Sequence, residues 1–494
     1  MSDVSNLGAV LALSPDAAAP AAAGVGPDGS GTPLSRADLA ARAAAFARGL
    51  GRHGVARGER IAILAANGTD YLAILLGAMQ AGVTPAPVNY RFPASTIARI
   101  VADSGARTVF HDEERRALAP DGVPAVSIET GLDGWLDPGP FEPVRPRPDE
   151  VALMLFTSGS TGRPKGVRLS HASHLWVTRV RMADDALAGE RMLIAAPLYH
   201  MNALANALLA LGSGATALLL PQFQARAYIA AIDRQRATWI TAVPPMIAMM
   251  LREKEALAGA DLTSVRVVRM GSAPVTDALA AQIRRLLPNA RIINAYGTTE
   301  GGPVAFRDPD GRAPTGSVGR PHPGVEVRLA GDGAPDLGVL QVKSPAIMLG
   351  YHKRPDVRSP ITPDGFYDTG DVFRRDRDGF YFFVGRTDDM FVSGGENIFP
   401  GEVEAMLETH ADVAQAVVVP VDDEIKGQKP VAFVVRRSGS ALDEAGLKAY
   451  ALAHAPAYQH PRRVWFVDQI PLASTSKIDR AALAARARAE PPLA

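Results

Sequence analysis

Five short apolar runs occupy the middle of this chain: RMLIAAPLYH, ATALLLPQF, ATWITAVPP, VRVVRMGSAP and ARIINAYGTTE. Each ends in small or polar residues. Runs of this kind read as buried strands of an α/β unit, and open α/β sheets gather their ligands where such strands end. The pattern begins further upstream. TPLSRADLAARAAAFARGLGRHGV reads as a helix, with Ser35 and Asp38 forming a start like a capping box and Leu39, Ala43, Phe46 and Leu50 on one face. ERIAILAANG follows as a strand, DYLAILLGAMQAG as a helix and VTPAPVN as a further extended piece, the alternation expected of a βαβ-type sheet.

Between these two α/β units lies LDPGPFEPVRPRPDE, whose prolines and charges read as a linker. After Thr315 the texture changes. GVEVRLAGDG, GVLQVKSP and GFYDTGDVFRRDRDGFYFFVGR join β-rich runs through Asp-Gly turns, the signature of hairpins and of a small β-rich subdomain. From TDDMFVSGGENIFPGEVEAMLETH onward helix and strand patterns mix again over roughly a hundred residues, enough for a separate compact domain. The alanine-rich start, ahead of about Leu34, reads as a flexible leader. It has no basic region before its apolar patch, so a cytoplasmic protein is expected.

At 494 residues the chain is too long for a single core. Its 52 basic and 52 acidic residues cancel, so no long-range field draws it to nucleic acid or anionic lipid, and an anionic ligand must be held locally. It contains no cysteine, which excludes disulfides, thiolate metal sites and a thioester on its own side chain; a thiol in the reaction comes from outside. No apolar run reaches the ~18 residues of a membrane span.

One loop carries chemistry on its face. FTSGSTGRPKGVRLSH follows the apolar run VALMLF. It is not a Walker A loop, because Gly166 and not a hydroxyl residue follows Lys165, and Pro164 biases Arg163 away from helical dihedrals. Hydroxyls at Ser158, Ser160 and Thr161, with backbone N–H groups bared by Gly159 and Gly162, suit a polyphosphate. An exposed turn between two strands would use the same residues.

Four more stretches stand in order behind it: NAYGTTE (Asn294 to Glu300), YDTGD (Tyr367 to Asp371), GRTDDMFVSGGENI (Gly385 to Ile398) and PLASTSKIDR (Pro471 to Arg480). Together the five resemble the adenylate-forming superfamily of acyl-CoA synthetases, peptide-synthetase adenylation domains and luciferases, from about Leu34 to Arg480. The resemblance implies a large N-terminal domain (1–387) of α/β sheets with a β-rich subdomain, and a smaller mobile α+β domain (388–494). It implies a two-step ligase: a carboxylate attacks the α-phosphate of ATP to give an acyl-adenylate and pyrophosphate, and a thiol, usually of coenzyme A, then takes the acyl group.

The resemblance also distributes roles. The glycine-rich loop, with Thr157, Ser158, Gly159, Ser160, Thr161, Gly162 and Lys165, would hold the β- and γ-phosphates. Tyr296 would lie on the adenine, Thr299 at the α-phosphate and Glu300 on Mg2+, an ion that prefers oxygen ligands. Asp371 and Arg386 would bind the ribose, while Ser272, Ala273, Pro274 and Asn294 would line the adenine pocket. Lys477 would offset charge at the α-phosphate during adenylation. Ser476 stands before it where the family pattern has glycine.

Asp388 would be the hinge, Gly394 and Gly395 would pass the pantetheine arm of coenzyme A, and His200, Met201, Met270, Ala295 and Gly297 would line the acyl pocket. Taken one by one these residues have plainer readings: Glu300 complementing a helix dipole, Asp371 fixing a turn, Gly394 and Gly395 serving a hairpin, Lys477 solvated, His200 packed. The expected partner is a carboxylic acid, medium-chain, branched or aromatic, with ATP, Mg2+ and coenzyme A; a homodimer is left open. Loading of a carrier-protein phosphopantetheine is the alternative, and a catalytically silent binder on the same fold a further one.

Overall fold

The computed structural model describes residues 4–14, 16–157, 163–271, 275, 277–308, 310–331, 335–393, 396–423, 425–473 and 478–489. The first unit is built from β1 (Pro20–Gly24), β2 (Leu34–Ser35), α1 (Arg36–Arg52), β3 (Arg60–Leu64), α2 (Thr69–Gln80), β4 (Thr84–Pro87), α3 (Ala94–Ser104), β5 (Ala106–His111) and β6 (Ala125–Ser127). Strands β4, β3, β5 and β6 pair in that order as a parallel sheet. At the head of α1 the Ser35 hydroxyl accepts from the Asp38 N–H at 3.0 Å and donates to the Asp38 carboxylate at 2.6 Å. Leu39, Ala43, Phe46 and Leu50 are all fully buried, as their spacing predicts.

The 136–150 segment contains no helix or strand, yet it is tied down. Asn6 Nδ2 donates to the Val144 carbonyl at 2.8 Å, the Val144 N–H to Gln80 at 2.9 Å, and Arg57 Nε to Glu150 at 2.8 Å. Beyond it come β7 (Val151–Thr157) and β8 (Lys165–Ser170), an antiparallel pair, then α4 (His171–Asp184), β9 (Arg191–Ile194), α5 (Met201–Ser213), β10 (Thr216–Leu219), α6 (Ala225–Gln235), β11 (Trp239–Ala242), α7 (Pro244–Met250), α8 (Lys254–Ala258), β12 (Val267–Gly271), α9 (Asp277–Leu286) and β13 (Arg291–Ala295). The five apolar runs are β9 to β13. They form a sheet in the order β13-β12-β11-β9-β10-β1-β2, parallel throughout except for β2.

This sheet corrects the reading of the N-terminus. The residues taken for a flexible leader supply β1, and its Ala21, Ala22 and Ala23 are fully buried. Alanine scores poorly as a strand former, but here β1 lies between β10 and β2 with α1, α2 and α5 against it, where a small side chain lets the layers close. Packing overrides propensity.

The β-rich subdomain consists of β14 (Phe306–Arg307), β15 (Ser317–Pro321), β16 (Glu326–Ala330), β17 (Leu337–Lys343), β18 (Tyr367–Arg375) and β19 (Tyr381–Arg386), an antiparallel sheet in the order β14-β15-β19-β18-β17-β16. The last unit holds β20 (Phe391–Ser393), β21 (Glu396–Ile398), α10 (Pro400–Glu408), β22 (Val413–Asp423), β23 (Gly427–Arg436), α11 (Glu444–His454), β24 (Val464–Phe466) and α12 (Arg480–Ala489). Along β22 the side chains alternate between two small cores. Ala416 and Val418 join Val403, Leu407 and Leu447 of α10 and α11, while Val417 and Val419 join Leu483 and Ala487 of α12. Among the described residues, neither core shares a member with those of the preceding units.

Candidate active site

The carboxyl ends of β12 and β13 meet the β7–β8 hairpin and the β-rich sheet, and Thr157, Glu300, Tyr296, Asp371 and Arg386 lie in this region. After β13 the chain turns sharply. The Thr298 N–H bonds the Gly302 carbonyl at 3.2 Å and the Gly301 N–H bonds the Thr298 hydroxyl at 2.8 Å, with Thr299 and Glu300 between them. A Cβ on Gly297 would lie 2.5 Å from Pro303 Cα, so this glycine is required by the close return of the backbone.

Glu300 is fixed at both ends. Its carbonyl accepts from the Met348 N–H at 2.8 Å, and its Oε1 accepts from the Thr157 hydroxyl at 3.3 Å and the Tyr351 hydroxyl at 3.2 Å. Thr157 ends β7 and pairs across the hairpin with Lys165, the first residue of β8. The Lys165 ammonium stands 4.8 Å above the Tyr351 ring. Burial, and then the Glu300 charge, push the Tyr351 phenol well above its ordinary range, so it remains a donor at neutral pH. Sequence reasoning missed Tyr351. Its signal was an aromatic residue in the irregular stretch MLGYHKRP after β17, which no periodicity marks.

The second half of the site rests on β18 and β19, whose register sets Asp371 opposite Arg386. Arg386 Nη1 donates to Asp371 at 2.8 Å, and the Tyr296 hydroxyl donates to the other oxygen at 2.5 Å. The Tyr296 ring packs edge-on against Phe373, 4.7 Å between centroids. Arg386 also donates to both oxygens of Asp388, at 2.7 and 3.1 Å, so a single guanidinium ties the two aspartates together. Burial opposes ionisation of Asp388, but the Arg386 hydrogen bond and charge outweigh it and hold the carboxyl below its usual range, with Lys165 adding to the effect.

The remaining residues fall in several places. Asn294 Nδ2 donates to the Gly316 and Ser317 carbonyls, both at 3.1 Å, which joins β13 to the loop ahead of β15. His200 precedes α5 with its ring 4.6 Å from that of Tyr199, and Met201 opens the helix in a buried position. Met270 is fully enclosed in the main core, and strand alternation sets it on the face opposite Gly271 and Ala295. Ser158, Gly159, Ser160, Thr161, Gly162, Ser272, Ala273, Pro274, Gly394, Gly395 and Lys477 lie outside the described residues.

Fixed hydroxyls, one cation and one carboxylate around the Thr157–Glu300–Tyr351 cluster suit a phosphate chain and a hard cation. Among the described residues no group of three or more His, Cys, Asp or Glu could cage a metal by itself. Asp371 presents two oxygens beside an aromatic ring, an arrangement that suits a vicinal diol next to a planar base.

Residues 11–352 match the family model described as AMP-binding enzyme, and residues 402–477 the one described as AMP-binding enzyme C-terminal domain. The chain is 36% identical over 462 residues to a feruloyl-CoA synthase of an Amycolatopsis species, covering 91% of this chain and 93% of that protein. It is 33% identical over 480 residues to a sulfoacetate–CoA ligase of Cupriavidus necator, with coverage of 91% and 92%. The crystal structure of ATP-bound MatB from Rhodopseudomonas palustris superposes with a TM-score of 0.87 at 26% identity, covering 98% of each chain.

Proposed function

The chain belongs to the AMP-binding enzymes, and from that premise we propose that it is an ATP-dependent, AMP-forming ligase that joins a carboxylic acid to coenzyme A. In the first step an acid oxygen bonds to the α-phosphorus of ATP while the bond to the bridging oxygen breaks, and pyrophosphate leaves. In the second a thiol sulfur attacks the acyl carbonyl and AMP leaves. The observation that carries this reading is the pair of hydrogen-bonded groups Thr157–Glu300–Tyr351 and Tyr296–Asp371–Arg386, which the reading assigns to the phosphates and to the ribose.

In this reading Asp371 accepts from the ribose hydroxyls and Tyr296 covers the adenine, with Ser272, Ala273, Pro274 and Asn294 around it. The hairpin hydroxyls from Thr157 to Thr161 and the Lys165 ammonium bind the outgoing pyrophosphate. Glu300 would hold Mg2+. Both of its bound hydroxyls address Oε1, which leaves Oε2 as the ligand atom, and a single carboxylate completed by substrate phosphates is a normal magnesium site. The ion would neutralise phosphate charge there. Lys477 supplies the remaining cation at the α-phosphate, and Thr299 a hydroxyl.

The unit from 388 onward carries Lys477 and, in this reading, turns about Asp388 between the two steps. Gly394 and Gly395 then line the path of the thiol. Release of Asp388 from Arg386 is the local event that such a turn requires.

The test is to incubate the full chain with ATP, magnesium and a panel of carboxylic acids, with and without coenzyme A, and to follow AMP, pyrophosphate and acyl-CoA together. AMP and acyl-CoA rising in step, and collapsing in Lys477→Ala, is the expected result. Pyrophosphate release that ignores coenzyme A points to carrier-protein loading, and ADP in place of AMP rejects the reading.

A further inference from the structure

A cavity of about 100 Å³ opens along the sheet beside Ala295 and is lined by five arginines that the roles above leave unused, Arg181 and Arg269 among them. Strand alternation puts Arg269 and Gly271 of β12 on the same face as Ile293 and Ala295 of β13, and the helix covering that face is α5. Leu209 of α5 lines the cavity, and Asn206 and Asn202 precede it along one helical stripe. A Cβ on Gly271 would lie 3.6 Å from Asn202 Nδ2.

A donor chain fixes the polarity of this wall. A guanidinium only donates, so the 3.0 Å bond from Arg181 Nη2 makes Asn206 Oδ1 the acceptor. Asn206 Nδ2 then donates to Asn202 Oδ1 at 3.1 Å and to its carbonyl at 2.8 Å, and the Asn202 amide presents its NH2 on the side of Gly271. Every group along the chain offers hydrogen.

The charges at the inner end do not balance. Five arginines and three aspartates line the cavity. Asp184 is engaged by Arg307 at 3.0 Å and by His322 at 3.2 Å, and Asp185 by Arg291 at 2.5 Å. Among the described residues, Arg181 and Arg269 have no carboxylate within 4.0 Å, and Arg269 Nε has no hydrogen-bond partner. Burial lowers both, Arg269 to about 10, and the Arg269 charge lowers Arg181 as well, while Asp184 and Asp185 pull both the other way; Arg269 stays charged at neutral pH. Asp184 and Asp185 act on both guanidinium groups only at a distance, since their oxygens are bonded to other partners, and two neighbouring cations with no carboxylate in contact are costly to keep. An anion between them removes that cost.

We propose that this cavity is the far end of the acyl pocket and that the acid substrate carries a second anionic group, a carboxylate or sulfonate, received by Arg181 and Arg269. The inference rests on the ligase reading. Ala295 immediately precedes the turn that holds Thr299 and Glu300, so the reacting carboxyl enters at the Gly271 end. Arg269 stands two residues deeper, roughly 7 Å at the usual rise of a strand. A short diacid spans that distance. A water needs only ~10–15 Å³, so the cavity also has room for a charged terminus with a few bound waters.

The experiment compares matched acids in the pyrophosphate-release assay of the full chain: butanoate, pentanoate and benzoate against butanedioate, pentanedioate and benzene-1,4-dicarboxylate. Diacids are expected to lead their partners by at least tenfold in kcat/KM, and Arg269→Met to abolish or reverse that order. If Arg269→Met does not fold, Arg269→Lys, which keeps the charge and loses the planar fork, is expected to reduce the preference in part. Monoacids equal to or better than diacids in the unaltered chain, or a diacid preference untouched in both variants, overturns the proposal while leaving the ligase reading intact. Pyrophosphate from no acid of any kind overturns the ligase reading and this inference with it.

Discussion

Asp371 shows what one side chain settles here. It is buried, sits opposite Arg386 by sheet register, and takes hydrogen bonds from Arg386 and Tyr296 on different oxygens. Asp371→Asn keeps the shape and removes the charge. Hydrogen bonds to charged groups contribute about 1.5–3 kcal/mol, so kcat/KM for ATP is expected to fall roughly 10- to 100-fold. The readout specific to a ribose contact is 2′-deoxy-ATP: its penalty against ATP, measured in the unaltered chain, should shrink in the variant, and an unchanged ratio would separate Asp371 from the sugar. This residue was legible because YDTGD is a motif. Tyr351 was not, since it reaches Glu300 from a stretch with no motif and no period, and only the tertiary fold brings the two together.

At the scale of elements, the strands β9 to β13 and the helix α1 were readable because buried runs and a helical stripe leave patterns in sequence. The strand β1 was not, because three alanines carry no strand signature and acquire one only when α1, α2 and α5 close on them. Helix α12 has a comparable hidden function. Arg480 at its start donates to both oxygens of Glu404 on α10, at 2.6 and 2.8 Å, and to the Val418 carbonyl at 2.9 Å. Leu472 bridges Ile478, and the Asp479 N–H bonds Pro471, so the chain is paired to itself just ahead of α12. Arg480→Ala should therefore slow adenylation, by about tenfold or more for the loss of a bidentate charged pair, while transfer from supplied acyl-adenylate to coenzyme A is much less affected. Equal losses in both steps would mark Arg480 as a stability residue only.

The whole molecule divides its titration between its parts. His171 on α4 accepts the Leu7 N–H on Nδ1 at 2.9 Å, and burial pushes both His171 and His174 down to about 4. Unfolded, each would titrate at 6.5, so below that pH the unfolded chain binds more protons and stability falls as the pH drops from 6.5 toward 4. Glu408 on α10 has the opposite sign. Burial pushes it up to about 7 against an ordinary 4.5, so the folded form holds the proton across that window and stability falls as the pH rises through it. The histidines lie on α4, which packs its Leu175 into the main core, and Glu408 belongs to the last unit, whose cores share no residue with the rest among the described residues. If those units unfold separately, calorimetry of the full chain resolves two transitions that shift in opposite directions with acid. Between pH 7.5 and 5.5 the larger moves down, by about 1.4 kcal/mol per buried histidine. The smaller moves up, opposed in part by His460, whose burial lowers it. In Glu408→Gln the upward shift disappears and in His171→Gln the downward shift is about halved. A single transition under every condition would show the last unit to be thermodynamically part of the first, and would remove the independence that a turn about Asp388 requires.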